Sequence, residues 1–308
     1  MVLFEYLIFI SRKILKKSYL TALLVLFAIY FFISLVSLKR LNETGLLKME
    51  FLDVGQGDAI FIITPGNSRI LIDGGPSKAI SSRIVNLLPL NDKRIDLIIL
   101  THPHADHVTG LTAVLKDFEV RSIIFNPEDY DSKTFSDFMA AVKDEVAKGA
   151  KIIKVKTGDL ISFGDLKLRV IWDPYSLDSP TSPNLASNNP NDRSIVTEFS
   201  YKNFDAFLPG DEEIPEAERM LASVALSPVE VLKVAHHGSR NGLNDNLLNV
   251  LKPDLAVISA GKGNSYGHPH PETINLLSEA GTKVLRTDLN GTIEVVSDGA
   301  TWKVKIQK

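Results

Sequence analysis

Residues 101–111 read THPHADHVTGL and follow directly on the apolar run IDLIIL at 95–100. Such a short run, rich in Ile and Leu, reads as a buried strand, and a helical pattern opens after it near Thr109. The polar residues therefore lie on a strand-to-helix loop held by rigid elements at both ends, where binding groups concentrate. In H-x-H-x-D-H, His102 and His104 can share one side of the loop, while Asp106 and His107 come a turn later. That spacing supplies imidazole and carboxylate donors to two adjacent divalent ions, with zinc the expected metal and manganese the alternative. The chain has no cysteine, so thiolate metal sites, disulfides and cysteine nucleophiles are excluded.

All seven histidines fall into three groups: the one above, AHHGS at 235–239 and YGHPHP at 266–271. Two further strand-like runs end in acids, SRILIDGG at Asp73 and FDAFLPGD at Asp211. An Asp beside Gly after a strand is commonly only a turn residue, but the histidine cluster gives these two a second reading. Asp211 can bridge two cations through its two oxygens, and Asp73 can accept from a ligand imidazole and fix its tautomer. Either His236 or His237 is expected to complete the second ion's ligands. In the loop GKGNSYGHPHP (261–271), His268 is a candidate to hydrogen-bond substrate or protonate a leaving group. Ser239 and Asn264 are candidates for a phosphate oxygen, with a helix cap and a turn as their structural alternatives. His270, between prolines, reads as a surface residue. Gly55 and Gly57 of DVGQGD read as a turn close to the metal loop rather than a phosphate cradle, with Asp58 beside them.

Outward from the cluster, residues 47–308 alternate short β-rich runs with helical patterns at 77–88, 110–118 and 133–148. Many strands are adjacent in sequence, which predicts mixed sheets with helices on their outer faces, an α/β layered sandwich. The Pro-, Ser- and Asn-rich stretch 173–194 reads either as a functional loop over the site or as a disordered insertion. Residues 1–46 differ. From Tyr19 to Leu38 twenty residues carry no charge, enough for a helix to cross a hydrocarbon core. The alternatives are a cleaved signal, for which the run is long and lacks a cleavage site, and a core helix. Arg12, Lys13, Lys16 and Lys17 precede the run, which predicts a single-pass membrane anchor with the domain outside the cytoplasm. Residues 1–48 hold seven Lys/Arg against two acids, leaving 27 basic and 35 acidic residues, a net of −8, in 49–308. An acidic domain lacks the electrostatic footprint of a strong duplex-DNA binder.

The motifs FLDVGQGDAIFI (51–62), LIDGG (71–75), THPHADHVTGL (101–111), NDRSIV (191–196), FLPGD (207–211), LKVAHHGS (232–239) and NSYGHP (264–269) occur in that order. Together they resemble the metallo-β-lactamase fold superfamily, and within it the C-terminal hydrolase domain of the DNA-internalisation competence protein ComEC and its free-standing relatives. The resemblance covers roughly residues 47–305. It implies a four-layered αββα sandwich with two metals at the edge of its sheets. It also implies a metal-dependent hydrolase whose metal-bound hydroxide cleaves phosphodiester bonds, DNA or a related substrate. The superfamily has a further metal-binding His where Asn191 or Asp192 stands here. ComEC-like domains carry Asn there, which implies a weakly held first metal and a tighter second one through Asp106 and His107. The expected single span leaves no channel within these residues for carrying DNA across a membrane. Two other functions compete: hydrolysis of small or cell-wall phosphoesters or of lactone or β-lactam rings, and a non-catalytic, metal-stabilised subunit of a DNA-uptake assembly.

Overall fold

The structure is a computed structural model that describes residues 45–90, 92–126, 130–174 and 189–307, and, of the N-terminal segment, residues 19, 21, 23–32 and 34. It divides into two units, Met1–Thr44 and Gly45–Lys308. In the first, residues 23–32 are helical and their apolar side chains are exposed. Among the described residues no helix is long and apolar enough to cross a membrane. The rest of the expected span lies outside the described residues, as does most of the 173–194 stretch.

In the second unit the strands are, in order, β1 (Leu47–Phe51), β2 (Ile60–Ile63), β3 (Arg69–Ile72), β4 (Arg94–Ile95), β5 (Leu97–Ile99), β6 (Glu119–Val120), β7 (Ser122–Ile124) and β8 (Lys151–Ile152). They continue as β9 (Leu160–Phe163), β10 (Leu166–Trp172), β11 (Val196–Tyr201), β12 (Phe204–Leu208), β13 (Val231–Lys233), β14 (Leu255–Ile258), β15 (Lys283–Arg286), β16 (Thr292–Ser297) and β17 (Trp302–Gln307). One sheet runs β17-β16-β1-β2-β3-β5-β7-β8 and the other β15-β14-β13-β12-β11-β10-β9, while β4 and β6 form a separate parallel pair. Both large sheets are mixed. Strands β3, β5, β7 and β8 are parallel to their neighbours in that series, as are β12 to β15, and the remaining pairs of these two sheets, including the long-range pair β1–β16, are antiparallel.

Period-two alternation explains the layering. Leu47, Met49 and Phe51 of β1 face inward and meet Phe199, Leu208, Val231 and Val257 of the opposing sheet in the central core. The outer face of the first sheet is covered by α1 (Ala79–Leu87), α2 (Ala105–Asp117) and α3 (Lys133–Ala147), through Ile80, Leu111 and Phe138. The second is covered by α4 (Ile214–Ser223), α5 (Asp245–Leu251) and α6 (Pro271–Glu279), through Met220, Leu248 and Leu277. The result is the expected αββα sandwich. Its open edge lies beyond the carboxyl ends of the parallel strands, where α/β sheets commonly bind ligands.

Two close approaches fix that edge. A Cβ on Gly110 would lie 1.9 Å from the Gly74 carbonyl oxygen, so α2 can seat against the loop after β3 only with glycine there. Gly57 has φ +142°, and its Cβ would lie 2.3 Å from the Asp106 carbonyl oxygen. Asp58 N donates to that same carbonyl at 3.2 Å. The DVGQGD turn thus buttresses the loop that carries Asp106.

Candidate metal centre

The helix that was expected near Thr109 begins at Ala105, with extended His104 in the N-cap position. Asp106 and His107 are therefore on its first turn rather than in the loop, and a carboxylate there is favoured by the helix dipole. The turn carries His107 inward, fully buried, beneath the ends of β3 and β12.

Asp106, His107, Asp211 and His237 offer one donor atom each, all within 4.8 Å of one another. His107 Nε2 lies 3.2 Å from Asp211 Oδ2, and His237 Nε2 lies 3.3 Å from that oxygen and 3.1 Å from Asp106 Oδ2. The other ring nitrogens are taken. His107 Nδ1 donates to Asp73 Oδ2 at 2.8 Å, and His237 Nδ1 donates to the Ser259 carbonyl at 3.0 Å. Asp73 also accepts from Thr101 N and Thr101 Oγ1 at 2.9 and 2.7 Å. An imidazole whose far nitrogen is held by a fixed acceptor presents its near lone pair in one direction, as metal-ligating histidines do.

His102 follows the same logic. Thr101 Oγ1 gives its proton to Asp73, so it accepts from His102 Nδ1 at 3.1 Å. This leaves His102 Nε2 pointing at His104 Nδ1, 3.1 Å away. Asn191 does not join these two. It is buried with Nδ2 donating to Glu213 Oε1 at 3.1 Å and lying 3.5 Å from the His236 ring. His236 Nδ1 faces the same Glu213 at 3.2 Å.

The paired histidines diverge because His236 and His237 both adopt left-handed backbone, with φ of 49° and 55°, before Gly238 at 79°. Such conformations are costly for residues with a Cβ and concentrate at functional sites. The turn buries His237 among the carboxylates and leaves His236 partly exposed on the Glu213 side. The structure thus separates the two where the sequence left them equivalent.

The electrostatics divide along the same line. Burial works against charge on His107, but Asp211, Asp73 and Asp106 outweigh it and hold its pKa well above the ordinary range. Burial likewise opposes His237, while Asp211, Asp58 and Asp106 push it up to about 10. Asp106 falls to about 2 despite burial, because His107 and His237 face it. By contrast His102 is driven well down by burial and by His107, and His104 is lowered by burial. Four carboxylates, Asp58, Asp73, Asp106 and Asp211, thus call for positive charge at the His107–His237 junction, where protons now stand and a divalent ion would displace them. His107 Nε2 is buried without a hydrogen-bond partner, the kind of atom a cation satisfies.

Sequence reasoning missed Lys233. It ends β13 fully buried, ion-paired with Asp58, donating to the Gly210 carbonyl at 2.8 Å, and 3.4 Å from Asp211 Oδ1. The signal was present: a lysine inside VEVLKVA, a run otherwise suited to a buried parallel strand. Its position alters one expectation. Asp211 turns Oδ1 to Lys233 and only Oδ2 to the imidazoles, so it does not present both oxygens to the cluster. Asp58 is buried and placed 3.4 Å from His237 Nδ1.

The remaining candidates separate. His268 lines the cavity with Gln56, His104, Asp106, Tyr130 and Tyr266, in a space of about 350 Å³. Its Nδ1 is buried and unpartnered, and burial with neighbouring His236 lowers its pKa to about 4. Asn264 is engaged within its own loop. Its Oδ1 accepts from Tyr266 N and His268 N at 3.2 and 3.0 Å, and its Nδ2 donates to the Gly261 carbonyl, so it staples the loop. Ser239 Oγ accepts from Asn241 N at 3.3 Å, a turn contact rather than the helix cap that was its alternative. His270 Nδ1 accepts from Arg240 N at 3.0 Å at the start of α6, away from the cluster.

Residues 52–262 match the family described as Metallo-beta-lactamase superfamily. The chain belongs to that superfamily. Within it, the chain is 32% identical over 268 residues to ComE operon protein 3 of Bacillus subtilis (strain 168), covering 80% of this chain and 32% of that protein. It is 26% identical to Competence protein ComA of Neisseria gonorrhoeae, covering 79% of this chain and 31% of the other. The chain therefore spans about a third of the length of these relatives. CmlA, a diiron beta-hydroxylase from Streptomyces venezuelae, shares the fold with a TM-score of 0.51 at 13% identity, covering 85% of this chain and 54% of that one. The chain is a metallo-beta-lactamase-superfamily hydrolase with competence-related homologues. The superfamily fold typically binds two divalent metals, and the donor set of Asp106, His107, Asp211 and His237 suits that chemistry.

Proposed function

We propose that this domain is a metal-dependent phosphodiesterase acting on DNA or a related phosphodiester. The observation that carries the reading is the Asp106–His107–Asp211–His237 quartet opening on a polar cavity of about 350 Å³. The competence-related relatives support the choice of substrate. His107, His237, Asp106 and Asp211 Oδ2 would hold one divalent ion, zinc or manganese by donor type, and His102 and His104 a second. Such an ion, when bound, polarises a phosphoryl oxygen and lowers the pKa of water.

The chain's own residues do the rest. Asp73 holds His107 and Thr101 in register, and Lys233 fixes the rotation of Asp211. His268, uncharged at neutral pH, offers the substrate a hydrogen bond from the cavity wall rather than serving as a charged acid. The uncharged run 19–38 with Arg12, Lys13, Lys16 and Lys17 before it is the basis for proposing that the domain lies on the outer side of a membrane, which protease accessibility in intact cells would test.

Linear DNA incubated with the full chain and zinc or manganese is expected to be cleaved, with nitrocefin left intact. Asp106→Ala and His107→Ala are each expected to abolish cleavage, and cleavage retained in either variant overturns the assignment. The net charge of −8 over residues 49–308 favours a second reading, a small or cell-wall-linked phosphoester. Hydrolysis of nitrophenyl phosphodiesters without any cleavage of DNA would select it.

A further inference from the structure

Tyr266 is two-thirds exposed on the rim of the cavity. Among the described residues of 45–307 it is the one aromatic side chain left largely exposed, since the other rings pack into the cores or lie partly covered. Its setting is built before any ligand arrives. Asn264 Oδ1 accepts from both Tyr266 N and His268 N, and Asn264 Nδ2 donates to the carbonyls of Gly261 and His268 at 2.9 and 2.6 Å. Gln56 Oε1 accepts from Gly261 N at 3.0 Å, tying this loop to the turn that buttresses Asp106. The Tyr266 ring stacks on His268 with centroids 5.8 Å apart and planes 27° apart. His268 in turn stands 6.3 Å from the His237 ring. A flat, rigidly mounted ring is thus two residues from the cavity-wall histidine and next to the donor quartet. Tyr130 adds a second ring to the same cavity, in edge contact with His104 at 5.9 Å.

We propose that Tyr266 is a stacking platform for an unpaired nucleobase flanking the scissile phosphodiester, so that the site takes single strands or frayed ends rather than duplex interior. This rests on the phosphodiesterase reading and names its substrate class. With a net charge of −8 over residues 49–308, phosphate neutralisation by side chains is a weak source of affinity. Stacking on an aromatic face can supply it, and it accepts any base. A base inside a duplex has both faces covered by its neighbours and cannot use the platform. The outward position of Tyr266 also makes its substitution harmless to the fold.

The test uses the full chain and two fluorescein-labelled oligonucleotides of equal length, one of thymidines and one of abasic sugars. Anisotropy is read on the metal-free protein and cleavage with added manganese. The base-bearing strand is expected to bind and to be cleaved in preference, with Tyr266→Ala raising KM about tenfold at nearly unchanged kcat and Tyr266→Phe behaving as wild type. Equal handling of the two strands by wild type, or an unchanged KM in Tyr266→Ala, overturns the platform and leaves the phosphodiesterase reading standing. If neither strand is cleaved, the phosphodiesterase reading fails. Binding alone then decides the platform: a base preference lost in Tyr266→Ala supports it, and affinity unchanged in that variant overturns it.

Discussion

His102 and His107 come from one six-residue motif, yet the two halves of the cluster are finished differently. The His107 half gathers Asp106, Asp211 and His237, and each imidazole has its outer nitrogen bound to a fixed acceptor, Asp73 or the Ser259 carbonyl. Lys233 pins Asp211 from behind. In the His102 half two uncharged imidazoles face each other at 3.1 Å, while the residue at the third position, Asn191, turns to Glu213 and His236. Charge follows: His107 and His237 are held above the ordinary histidine range and His102 and His104 below it. A histidine motif therefore supplies donors, but the groups behind them decide how firmly a site holds an ion.

The largest effect is expected on removing a member of the braced half. His237→Ala should lose the tightly bound ion and lower hydrolysis by about a thousandfold or more, a few kcal/mol of transition-state stabilisation. Metal content by mass spectrometry, with His102→Ala alongside, checks the asymmetry. If both variants lose the same ion with the same affinity, the halves are equivalent and the comparison breaks.

A buried carboxylate whose nearby cations do not outweigh burial shows what Lys233 contributes. Burial raises Asp58 and Asp211, but Lys233 and the histidines bring both below the ordinary carboxylate value. Glu50, buried in β1 directly across from Glu294, is raised by burial and then by Glu294 to about 7 from an ordinary 4.5, because the opposing pull of Lys305 and Lys48 is weaker. The folded state then holds a proton that the unfolded state has released between those values. Stability from this group is full below about pH 4.5 and is lost as pH rises through about 7, by up to about 3 kcal/mol. Urea denaturation at pH 5 and pH 8 should show the loss in wild type and a smaller one in Glu50→Gln. An unchanged slope in the variant would show that Glu50 is not the group responsible.

A smaller effect tests the bracing itself. Asp73→Asn keeps the shape of the side chain but weakens the bond that orients His107. It should cost about 10–100-fold in affinity for the tight ion, read by chelator competition. An affinity equal to wild type would mean that packing alone orients His107.

Much of this was legible in the sequence because period-two alternation and turn residues are local signals. The layered sandwich and Asp73 beside the cluster follow from strand ends and spacing, and the Asn191 departure follows from the resemblance to the superfamily. What escaped required contacts between distant segments. The start of α2 at Ala105 was hidden because Pro103 and two histidines read as loop, whereas the seat against Gly74 and Gly57 allows the helix to begin there. Asn264 carries phosphate-binding chemistry in its side chain, but its partners are its own loop. Lys233 looked like any strand lysine until Asp58, 175 positions earlier, was brought against it.

The mildest variant is also the sharpest test of the division between the adjacent histidines. His236 and His237 differ by one position, but their left-handed turn sends one ring to Asp106 and Asp211 and the other to Glu213. His236 is partly exposed, so its truncation leaves no buried charge stranded and should change stability by no more than about 0.5 kcal/mol. Its loss should leave the tight ion's affinity within about threefold of wild type, because the Asp73 and Ser259 bonds that set the ligand directions remain. Chelator competition on His236→Ala beside His237→Ala reads the contrast directly. Affinities that fall together would mean that the turn acts as one unit, with either ring able to reach the ion.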